Sequence, residues 1–460
     1  MALLLAVFAL SATALAQGPT LSVNPPSGPP SAEIVVKGTG FPTFADIQVY
    51  FDRYPKFVIT AQQGSFTAHI KVPSDSRPGP DHRIRAIYLL NGQQTEVDIP
   101  FKVETNWPQF GFSRTGTRDN RVENVLAKNN VGFVGMYFKY ATGGHIQIAS
   151  PAVASGVVYF GSTDTYVYAL DAQAGTLLWK FKTGDWVNSP PSVSNKVVYV
   201  GSNDKNLYAL DARTGAMIWK FATGDVVQTS PIVNNGIVYF GSYDKNFYAL
   251  NASDGSMVWK YTAGDGITSS PTMSNGRILF GSYDGNVYSL DAATGALVWK
   301  FQTGGNIVFT SAAVAGGKVF TASAGGGYIY ALDEATGTQI WKTPNSVFGS
   351  LAVSTNAVFA GSFDGSVYAL SAADGSQLWS FPTGSFIESS PAIAHGVVYI
   401  GSFDDNIYAL DADTGEKLWS FTTGDGIFGS PTVANGIIYF GSEDDNLYAF
   451  GLLKLAPQHK

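Results

Sequence analysis

Aspartates that recur about every 40 residues are the side chains best placed to do chemistry in this chain of 460 residues. One set comprises Asp164, Asp204, Asp244, Asp284, Asp364, Asp404 and Asp444, and a second set comprises Asp185, Asp225, Asp265 and Asp425. Carboxylates could hold a hard cation such as Ca²⁺, but that cation needs several oxygens converging on one point. A regular spacing spreads the carboxylates apart, and Asp is also a common turn residue. We therefore expect turn roles and no metal site.

Histidine and cysteine chemistry has little support. The chain has no Cys and five His, which are His69, His82, His145, His395 and His459. Only His145 falls in a loop between predicted repeats, where we expect a turn or rim residue. The sequence has no G-x-S-x-G, H-E-x-x-H, P-loop or C-x-x-C signature. We therefore predict no catalytic residues.

Seven tryptophans mark the internal repeat that must position these residues. They are Trp179, Trp219, Trp259, Trp299, Trp341, Trp379 and Trp419, at steps of 40, 40, 40, 42, 38 and 40 residues. One copy, from Pro391 to Phe421, contains four short alternating runs separated by turn residues. Four strands in about 40 residues are typical of one blade of a β-propeller.

The last copy predicts how the ring closes. It runs from Pro431 to Phe450 without a fourth strand, whereas residues 135–144, ahead of the first copy, align with the missing strand. Phe138 stands there at the position of the tryptophan. We therefore predict an all-β fold with an eight-bladed propeller, in which an N-terminal strand completes the last blade and removes open sheet edges.

The segments before and after the propeller have different sequence patterns. Residues 1–16 end in the small-x-small pattern of a signal-peptidase site and are predicted to be a signal peptide. Residues 17–104 alternate short strands with Pro and Gly turns, which predicts an Ig-like β-sandwich. Its segments Pro26-Ser27-Gly28 and Gly38 to Phe41 resemble an IPT/TIG-type module. We predict a linker or lead-in over residues 105–130, the propeller over 131–452 and a tail over 453–460.

Charge and composition limit the partners. The formal net charge is -7, and no cluster of Lys and Arg is present, which argues against a nucleic-acid partner. After residue 16 no segment approaches the roughly 18 apolar residues of a membrane helix, and without Cys no lipidated N-terminal Cys can form. We therefore predict an exported protein, periplasmic or extracellular, with no transmembrane or lipid anchor, and we expect a monomer.

The pattern Ala-x-Asp-x-x-Thr-Gly-x-x-x-Trp carries a family resemblance. It is present at Ala209, Asp211, Thr214, Gly215 and Trp219, and again at Ala409, Asp411, Thr414, Gly415 and Trp419. The pattern resembles the tryptophan-docking motif of the PQQ-like eight-bladed propellers, over about residues 107–450. The resemblance implies that each tryptophan packs on the glycine peptide of the motif and on the motif of the neighbouring blade.

The resemblance leaves the activity open, because the family includes PQQ dehydrogenases and non-catalytic members such as the scaffold protein BamB. In the dehydrogenases the anionic PQQ lies beside Ca²⁺, is paired with cationic side chains, and typically contacts a vicinal disulfide. Here no Cys can form that disulfide, and the expected cofactor face is rich in Asp, with only Lys205 and Lys245 breaking the pattern. We expect no cofactor, with PQQ and Ca²⁺ as the alternative.

The loops that join successive repeats vary, and they place aromatic residues on one face. These residues are Trp186, Phe309, Phe348, Phe386 and Phe428. They either cap the central channel and pack on neighbouring blades, or they form an apolar docking surface. We predict a non-catalytic binding or scaffold protein that holds a protein or extended ligand on this face. The alternatives are a PQQ- and Ca²⁺-dependent dehydrogenase that oxidises alcohols or sugars, and a secreted carbohydrate-binding protein.

Overall fold

The structure is a computed structural model that describes residues 18–307 and 309–453. The predicted signal peptide lies outside the described residues, and Leu453 is the one residue of the predicted tail that lies within them. Apart from one turn of 3-10 helix, the regular secondary structure of the described residues is β-strand, which confirms the all-β prediction. The chain divides into two units on either side of the Glu104–Thr105 bond. Within the described ranges, no helix is long and apolar enough to cross a membrane.

The first unit consists of two packed sheets. Its strands are β1 (Thr20–Asn24), β2 (Ser27–Gly28), β3 (Glu33–Thr39), β4 (Asp46–Phe51), β5 (Tyr54–Thr60), β6 (Phe66–Lys71), β7 (Gly79–Leu90) and β8 (Gln93–Val103). They form a three-stranded sheet, β1-β3-β6, and a five-stranded sheet, β2-β8-β7-β4-β5. Alternate residues such as Val36 of β3 and Val49 of β4 are buried in one shared core. The unit is therefore a β-sandwich, and its IPT/TIG type stays a prediction.

The second unit begins with short elements and continues in groups of four strands. The first elements are β9 (Asp119–Asn120), one turn of 3-10 helix (Val131–Phe133) and β10 (Val134–Ala141). The next strands are β11 (Ala152–Ala154), β12 (Val157–Gly161), β13 (Tyr166–Asp171), β14 (Leu177–Lys182), β15 (Ser192–Ser194), β16 (Val197–Gly201), β17 (Asn206–Asp211), β18 (Met217–Ala222), β19 (Ile232–Asn234), β20 (Ile237–Gly241), β21 (Asn246–Asn251), β22 (Met257–Thr262), β23 (Thr272–Ser274), β24 (Arg277–Gly281), β25 (Asn286–Asp291) and β26 (Leu297–Gln302). The remaining strands are β27 (Ala313–Ala315), β28 (Lys318–Ser323), β29 (Tyr328–Asp333), β30 (Gln339–Pro344), β31 (Ala352–Val353), β32 (Ala357–Gly361), β33 (Ser366–Ser371), β34 (Gln377–Pro382), β35 (Ala392–Ala394), β36 (Val397–Gly401), β37 (Asn406–Asp411), β38 (Lys417–Thr422), β39 (Thr432–Ala434), β40 (Ile437–Gly441) and β41 (Asn446–Leu452).

These strands form antiparallel sheets arranged around a common centre. From β11 to β38 each run of four strands makes one sheet, and β39, β40 and β41 make a further sheet with β10. First strands contact one another at most of the junctions between neighbouring sheets, and β39 contacts β11, so the series closes on itself. We number the sheets as blades 1 to 8, starting from β11. In blade 8, Phe138 lies opposite Ala449, as Trp419 lies opposite Ala409 in blade 7.

Tryptophan side chains join most neighbouring blades. Each of six indole rings covers a glycine of the next blade, so closely that an added Cβ there would lie 2.6–2.7 Å from ring atoms. The pairs are Trp179 with Gly215, Trp219 with Gly255, Trp259 with Gly295, Trp299 with Gly337, Trp341 with Gly375 and Trp379 with Gly415. The indole N–H also donates to a carbonyl of that turn, for example from Trp219 to Ala252 at 3.0 Å. We call this arrangement a docked joint.

The joints on either side of blade 8 differ from the docked joints. Phe138 covers Gly175 of blade 1, where an added Cβ would lie 2.4 Å from the ring, but it has no N–H to donate. Trp419 of blade 7 covers no such glycine in the described chain, because β10 supplies the last strand of blade 8. Its ring lies 5.2 Å from that of Phe450, and the 3-10 turn packs against β38. The docking that the resemblance implies is therefore found at six of the seven tryptophans.

Residues 105–130, predicted as a linker or lead-in, belong to the propeller unit, and we call them the lead-in segment. Their first part runs along the first strands of the blades and bonds to their backbones in ring order. The amide donors and carbonyl acceptors are Trp107 and Val153, Val193 and Pro108, Met273 and Arg114, Val314 and Thr115, Val353 and Thr117, and Ile393 and Arg118. β9 then adds to the edge of blade 7, parallel to β35. The segment looks irregular in sequence because its hydrogen-bond partners are distant blades.

The lead-in segment also connects blade 7 to blade 8, where the docked joint is missing. The guanidinium of the fully buried Arg118 donates to the carbonyls of Pro391 in blade 7 at 2.6 Å and Pro431 in blade 8 at 3.0 Å. The Asn120 amide donates to the Val433 carbonyl of blade 8 at 2.8 Å. These bonds satisfy backbone groups that would be costly to leave unpaired in a buried position.

Candidate functional site

Two sets of loops lie side by side at one face of the propeller. Gly184, in the loop from blade 1 to blade 2, donates its amide to the carboxylate of Asp204 at 2.7 Å, and Asp204 lies between β16 and β17. The Ser202 hydroxyl donates to the carbonyl of Asp185 at 3.2 Å. Equivalent contacts recur in blades 3, 4 and 8. Blade-joining loops and loops between second and third strands therefore share one surface, which we call the loop face.

The first set of aspartates supports these loops from within. Asp204 accepts hydrogen bonds from the backbone of Asn206 at 3.0 Å and from the Tyr208 hydroxyl at 2.6 Å. The same Asp–Tyr bond is made by Asp164, Asp244, Asp284, Asp364, Asp404 and Asp444, each with the Tyr four residues later. Burial alone would raise the pKa of Asp204, but the hydrogen bonds to its ionised carboxylate lower it below the usual value. The hydrogen bonds of these carboxylates therefore hold the turns in which they lie.

The second set of aspartates lies in the blade-joining loops. The Asp225 carboxylate accepts the amide of Val226 at 2.9 Å and pairs with Lys205 at 3.7 Å. Asp265 similarly pairs with Lys245 at 3.3 Å. The two lysines that break the acidic pattern of the sequence are thus paired with loop carboxylates.

Six phenylalanines gather on one half of the loop face, and we call them the phenylalanine cluster. Five rings form a closed cycle in the order Phe348, Phe363, Phe386, Phe403 and Phe428, with successive centroids 5.6, 6.3, 4.3 and 5.9 Å apart and 6.1 Å between the last and the first. The sixth ring, Phe309, lies 5.3 Å from Phe348. Phe363 and Phe386 are 39% and 37% exposed. The cluster is therefore held by its own ring contacts and still presents aromatic surface to solvent.

The structure brings together four of the five predicted aromatic residues. Phe309, Phe348, Phe386 and Phe428 belong to the cluster, whereas Trp186 is 49% exposed and has no ring contact with a described aromatic residue. Phe363 and Phe403 were not predicted. They occupy the variable position of Gly-Ser-x-Asp, which is Thr163 in blade 1 and Asn203 in blade 2. Comparing that position between repeats would have identified both residues.

A pair of glutamates lies beside the phenylalanine cluster. Burial raises the pKa of the half-buried Glu388 to about 7, and the negative charge of Glu443 adds to the rise. The Glu443 carboxylate accepts a hydrogen bond from the Gln147 amide at 2.9 Å, and its backbone carbonyl contacts the His145 ring. Glu388 lies in the same loop as Phe386, and the backbone amide of Glu443 donates to Gly426 in the loop that carries Phe428.

The other half of the loop face is polar at the corresponding positions. Each blade-joining loop contains a buried Ile or Val, and the residue directly after it differs between the repeats. That residue is Gln147, Asn188, Gln228 or Thr268 in the loops leading into blades 1 to 4, and Phe348, Glu388 or Phe428 in those leading into blades 6 to 8. At these positions one half of the loop face therefore carries amides and a hydroxyl, and the other half carries aromatic rings and a carboxylate, whereas Trp186, Tyr243 and Tyr283 add rings to the first half at other positions.

The residues of the loop face can be compared with those that a bound PQQ and Ca²⁺ would need. Among residues 18–307 and 309–453, no group of three or more His, Cys, Asp or Glu could hold a metal ion. PQQ is a multiply charged anion that needs cationic partners, but Lys205 and Lys245 are paired with Asp225 and Asp265. Asp405, Asp425 and Asp445 add negative charge to this face. These residues do not fit an anionic quinone held beside Ca²⁺.

Comparisons of the sequence with known families match the propeller in two ways. The family described as outer membrane protein assembly factor BamB matches residues 126–229 and 364–454. The family described as the β-propeller of beta-alanine-activating enzyme matches residues 211–396. No curated protein matches the chain.

Solved structures share the propeller fold. BamB from Moraxella catarrhalis superposes with a TM-score of 0.62 at 20% identity, covering 69% of this chain and 99% of its own. Quinohemoprotein alcohol dehydrogenase from Comamonas testosteroni gives 0.68 at 18% identity, covering 77% and 82%. The computationally designed Ika8 protein gives 0.62 at 20% identity, covering 69% and 100%. The predicted resemblance to PQQ-like, BamB-like propellers is confirmed, while likeness at this level of identity concerns the fold and does not separate binding from catalysis.

Proposed function

We propose that this chain is an exported, non-catalytic binding or scaffold protein that holds a partner on the loop face of its propeller. The phenylalanine cluster is the observation that carries the proposal, because it presents partly exposed rings in a connected group. Aromatic residues are enriched in the cores of protein interfaces and supply much of their binding energy. Export rests on the signal-peptidase pattern of residues 1–16.

The match to the BamB family supports a binding role. That family is named as an assembly factor, which describes a protein that acts beside other proteins. The quinohemoprotein alcohol dehydrogenase shares the fold, but the loop face of this chain lacks the unpaired cations that an anionic quinone needs. The proposal therefore rests on the residues of the loop face and not on the shared fold.

Site-specific photo-crosslinking tests the proposed function. A photoreactive phenylalanine analogue is placed at Phe363 in the loop face and, as a matched control, at Leu178, which is 51% exposed on the outer strand of blade 1. We expect one recurrent protein adduct from position 363 that is absent from position 178 and is lost in the Phe386→Ser variant. The purified partner must then bind the purified chain. Equal adducts from both positions, or none from either, would contradict the proposal.

A titration with PQQ and Ca²⁺ tests the dehydrogenase alternative. A ligand that binds the folded state at 100 times its Kd stabilises that state by about 2.7 kcal/mol, which a melting curve detects. We expect no saturable rise in melting temperature and no dye-linked oxidation of alcohols or sugars. A saturable rise accompanied by turnover would replace the binding proposal with the dehydrogenase.

A further inference from the structure

We propose that the phenylalanine cluster takes an extended polypeptide segment that presents a Lys or Arg side chain next to an apolar side chain. This inference rests on the proposed function and deepens it by naming the chemistry of the partner. It is carried by the loops of the cluster, which join partly exposed aromatic rings to Glu388 in the same loop and, through a backbone hydrogen bond, to Glu443.

The two carboxylates are fixed to the loops that carry the rings. Glu388 lies two residues after Phe386 in the same loop, which packs so closely on the neighbouring loop that a Cβ at Gly349 would lie 2.6 Å from the Glu388 carbonyl. The backbone amide of Glu443 donates to the Gly426 carbonyl at 3.0 Å, two residues before Phe428. A cation bound between these carboxylates would therefore lie against the cluster and relieve their mutual repulsion.

The loops that form this half of the loop face contain no Lys or Arg. The loops concerned are residues 344–351, 362–365, 382–391, 402–405, 422–430 and 442–445, and their sequences contain neither residue. They do contain Asp405, Asp425 and Asp445, and His145 lies 3.1 Å from the Asp445 carboxylate. Charge complementarity therefore selects a cationic partner. An aromatic ring within reach also attracts the cation.

The dimensions of the cluster suit an extended chain. Neighbouring rings of the cycle are 4.3 to 6.3 Å apart. Side chains at positions i and i+2 of an extended strand point the same way and are about 6.6 Å apart. The cluster draws on the loops of several blades, so one strand could place a basic side chain at the glutamates and an apolar one on the rings.

Defined peptides and the full chain test this inference by fluorescence anisotropy. The probes are three labelled octapeptides with Ser at every second position; the positions between the serines alternate between Leu and Arg, Leu and Gln, or Leu and Glu, so that both side chains lie on the same side of the strand. We expect the Arg peptide to bind at least tenfold more tightly than the Gln peptide, and the Glu peptide to bind most weakly. Glu388→Gln should weaken binding of the Arg peptide about three- to tenfold and leave the Gln peptide unchanged. The matched control is Asp185→Asn, which removes a carboxylate from the polar half of the same face.

A second pair of variants tests the apolar part of the site. Phe386→Ala should weaken both the Arg and the Gln peptide, whereas Trp186→Ala, which removes an exposed aromatic ring elsewhere on the face, should weaken neither. Melting curves confirm that each variant is folded. If the Gln peptide binds as tightly as the Arg peptide and Phe386→Ala weakens both, the charge inference is wrong and the binding face stands. If no peptide binds and crosslinking at position 363 is also negative, the inference and the proposed function fail together.

Discussion

The blades of this propeller are held together in two different ways. At the six docked joints an indole ring covers the glycine of the next blade, and both residues come from the repeat itself. Between blades 7 and 8 the repeat is split, Trp419 covers no glycine in the described chain, and Arg118 makes the connection from 313 residues before Pro431. The contrast shows that a repeat can encode its ordinary joints locally, whereas the joint that leads into the split blade depends on residues outside the repeat.

The largest expected effect is the loss of Arg118. Arg118→Leu removes the guanidinium donor from the carbonyls of Phe110, Pro391 and Pro431, of which Phe110 keeps a bond from the Trp107 indole. We expect a loss of about 3–5 kcal/mol in the free energy of unfolding. Urea unfolding of the purified chain measures it. Arg114→Leu is the control, because Arg114 is exposed and its side chain contacts Asn234 alone among described polar groups. If both variants lose the same stability, the lead-in segment does not hold this joint together.

A pair of glycine variants measures the close contact of a docked joint. Gly215 and Gly236 have positive φ angles of 71° and 77°, so alanine at either position should cost about 1 kcal/mol or more. A Cβ at Gly215 would also lie 2.7 Å from the Trp179 ring, whereas a Cβ at Gly236 would meet nothing within 4 Å. We expect Gly215→Ala to lose about 1–3 kcal/mol more than Gly236→Ala. Equal urea midpoints would argue against tight docking.

A pair of tryptophan variants compares the two kinds of joint directly. Trp219→Phe removes the 3.0 Å hydrogen bond to the Ala252 carbonyl, and we expect a loss of about 1–2 kcal/mol. Trp419→Phe removes no hydrogen bond to blade 8 among those described, and we expect less than about 1 kcal/mol. Thermal melting of both variants at one protein concentration gives the difference. A larger loss at Trp419 would mean that its ring is docked on blade 8 as the other tryptophans are docked on their neighbouring blades.

The smallest expected effect concerns an ion pair of the lead-in segment. Lys128 lies 2.8 Å from Asp411 and 2.6 Å from Asp413 of blade 7. Burial would raise the pKa of Asp411, but hydrogen bonds from Lys128 and the backbone lower it below the usual value. The pair therefore stabilises the fold at neutral pH and is lost as the pH falls through that lowered pKa. Lys128→Met should lose less than about 1 kcal/mol at low salt, and a smaller amount in 0.5 M NaCl or at pH 2.

Most of the fold could be predicted because each repeat carries the strand and turn pattern of one blade. The tryptophan spacing predicts the blades, and Phe138 predicts the strand that completes the last one, which pairs with β41 as expected. The lead-in segment was assigned as a linker because its residues have no strand or helix periodicity. Its partners are backbone groups of the first strands, which any sequence could offer, so nothing in its own residues marks Arg118 as buried.

The candidate site was predictable only in part. Four cluster residues could be found because blade-joining loops were compared between repeats. Phe363 and Phe403 were missed because the neighbouring turn was considered only for its aspartate. The approach of Glu388 to Glu443 depends on how blades 7 and 8 place their loops, and this distance is not encoded in either repeat alone.

The split blade also has a consequence for the time course of synthesis. β10 emerges from the ribosome roughly 300 residues before its partner β41, which at about 5–20 residues per second corresponds to a delay of about 15–60 s. During that interval β10 lacks its partner strand, and Arg118 has not yet met the carbonyl of Pro431. Single blades can form as they appear, but the ring becomes one cooperative body only when its last strand has been made.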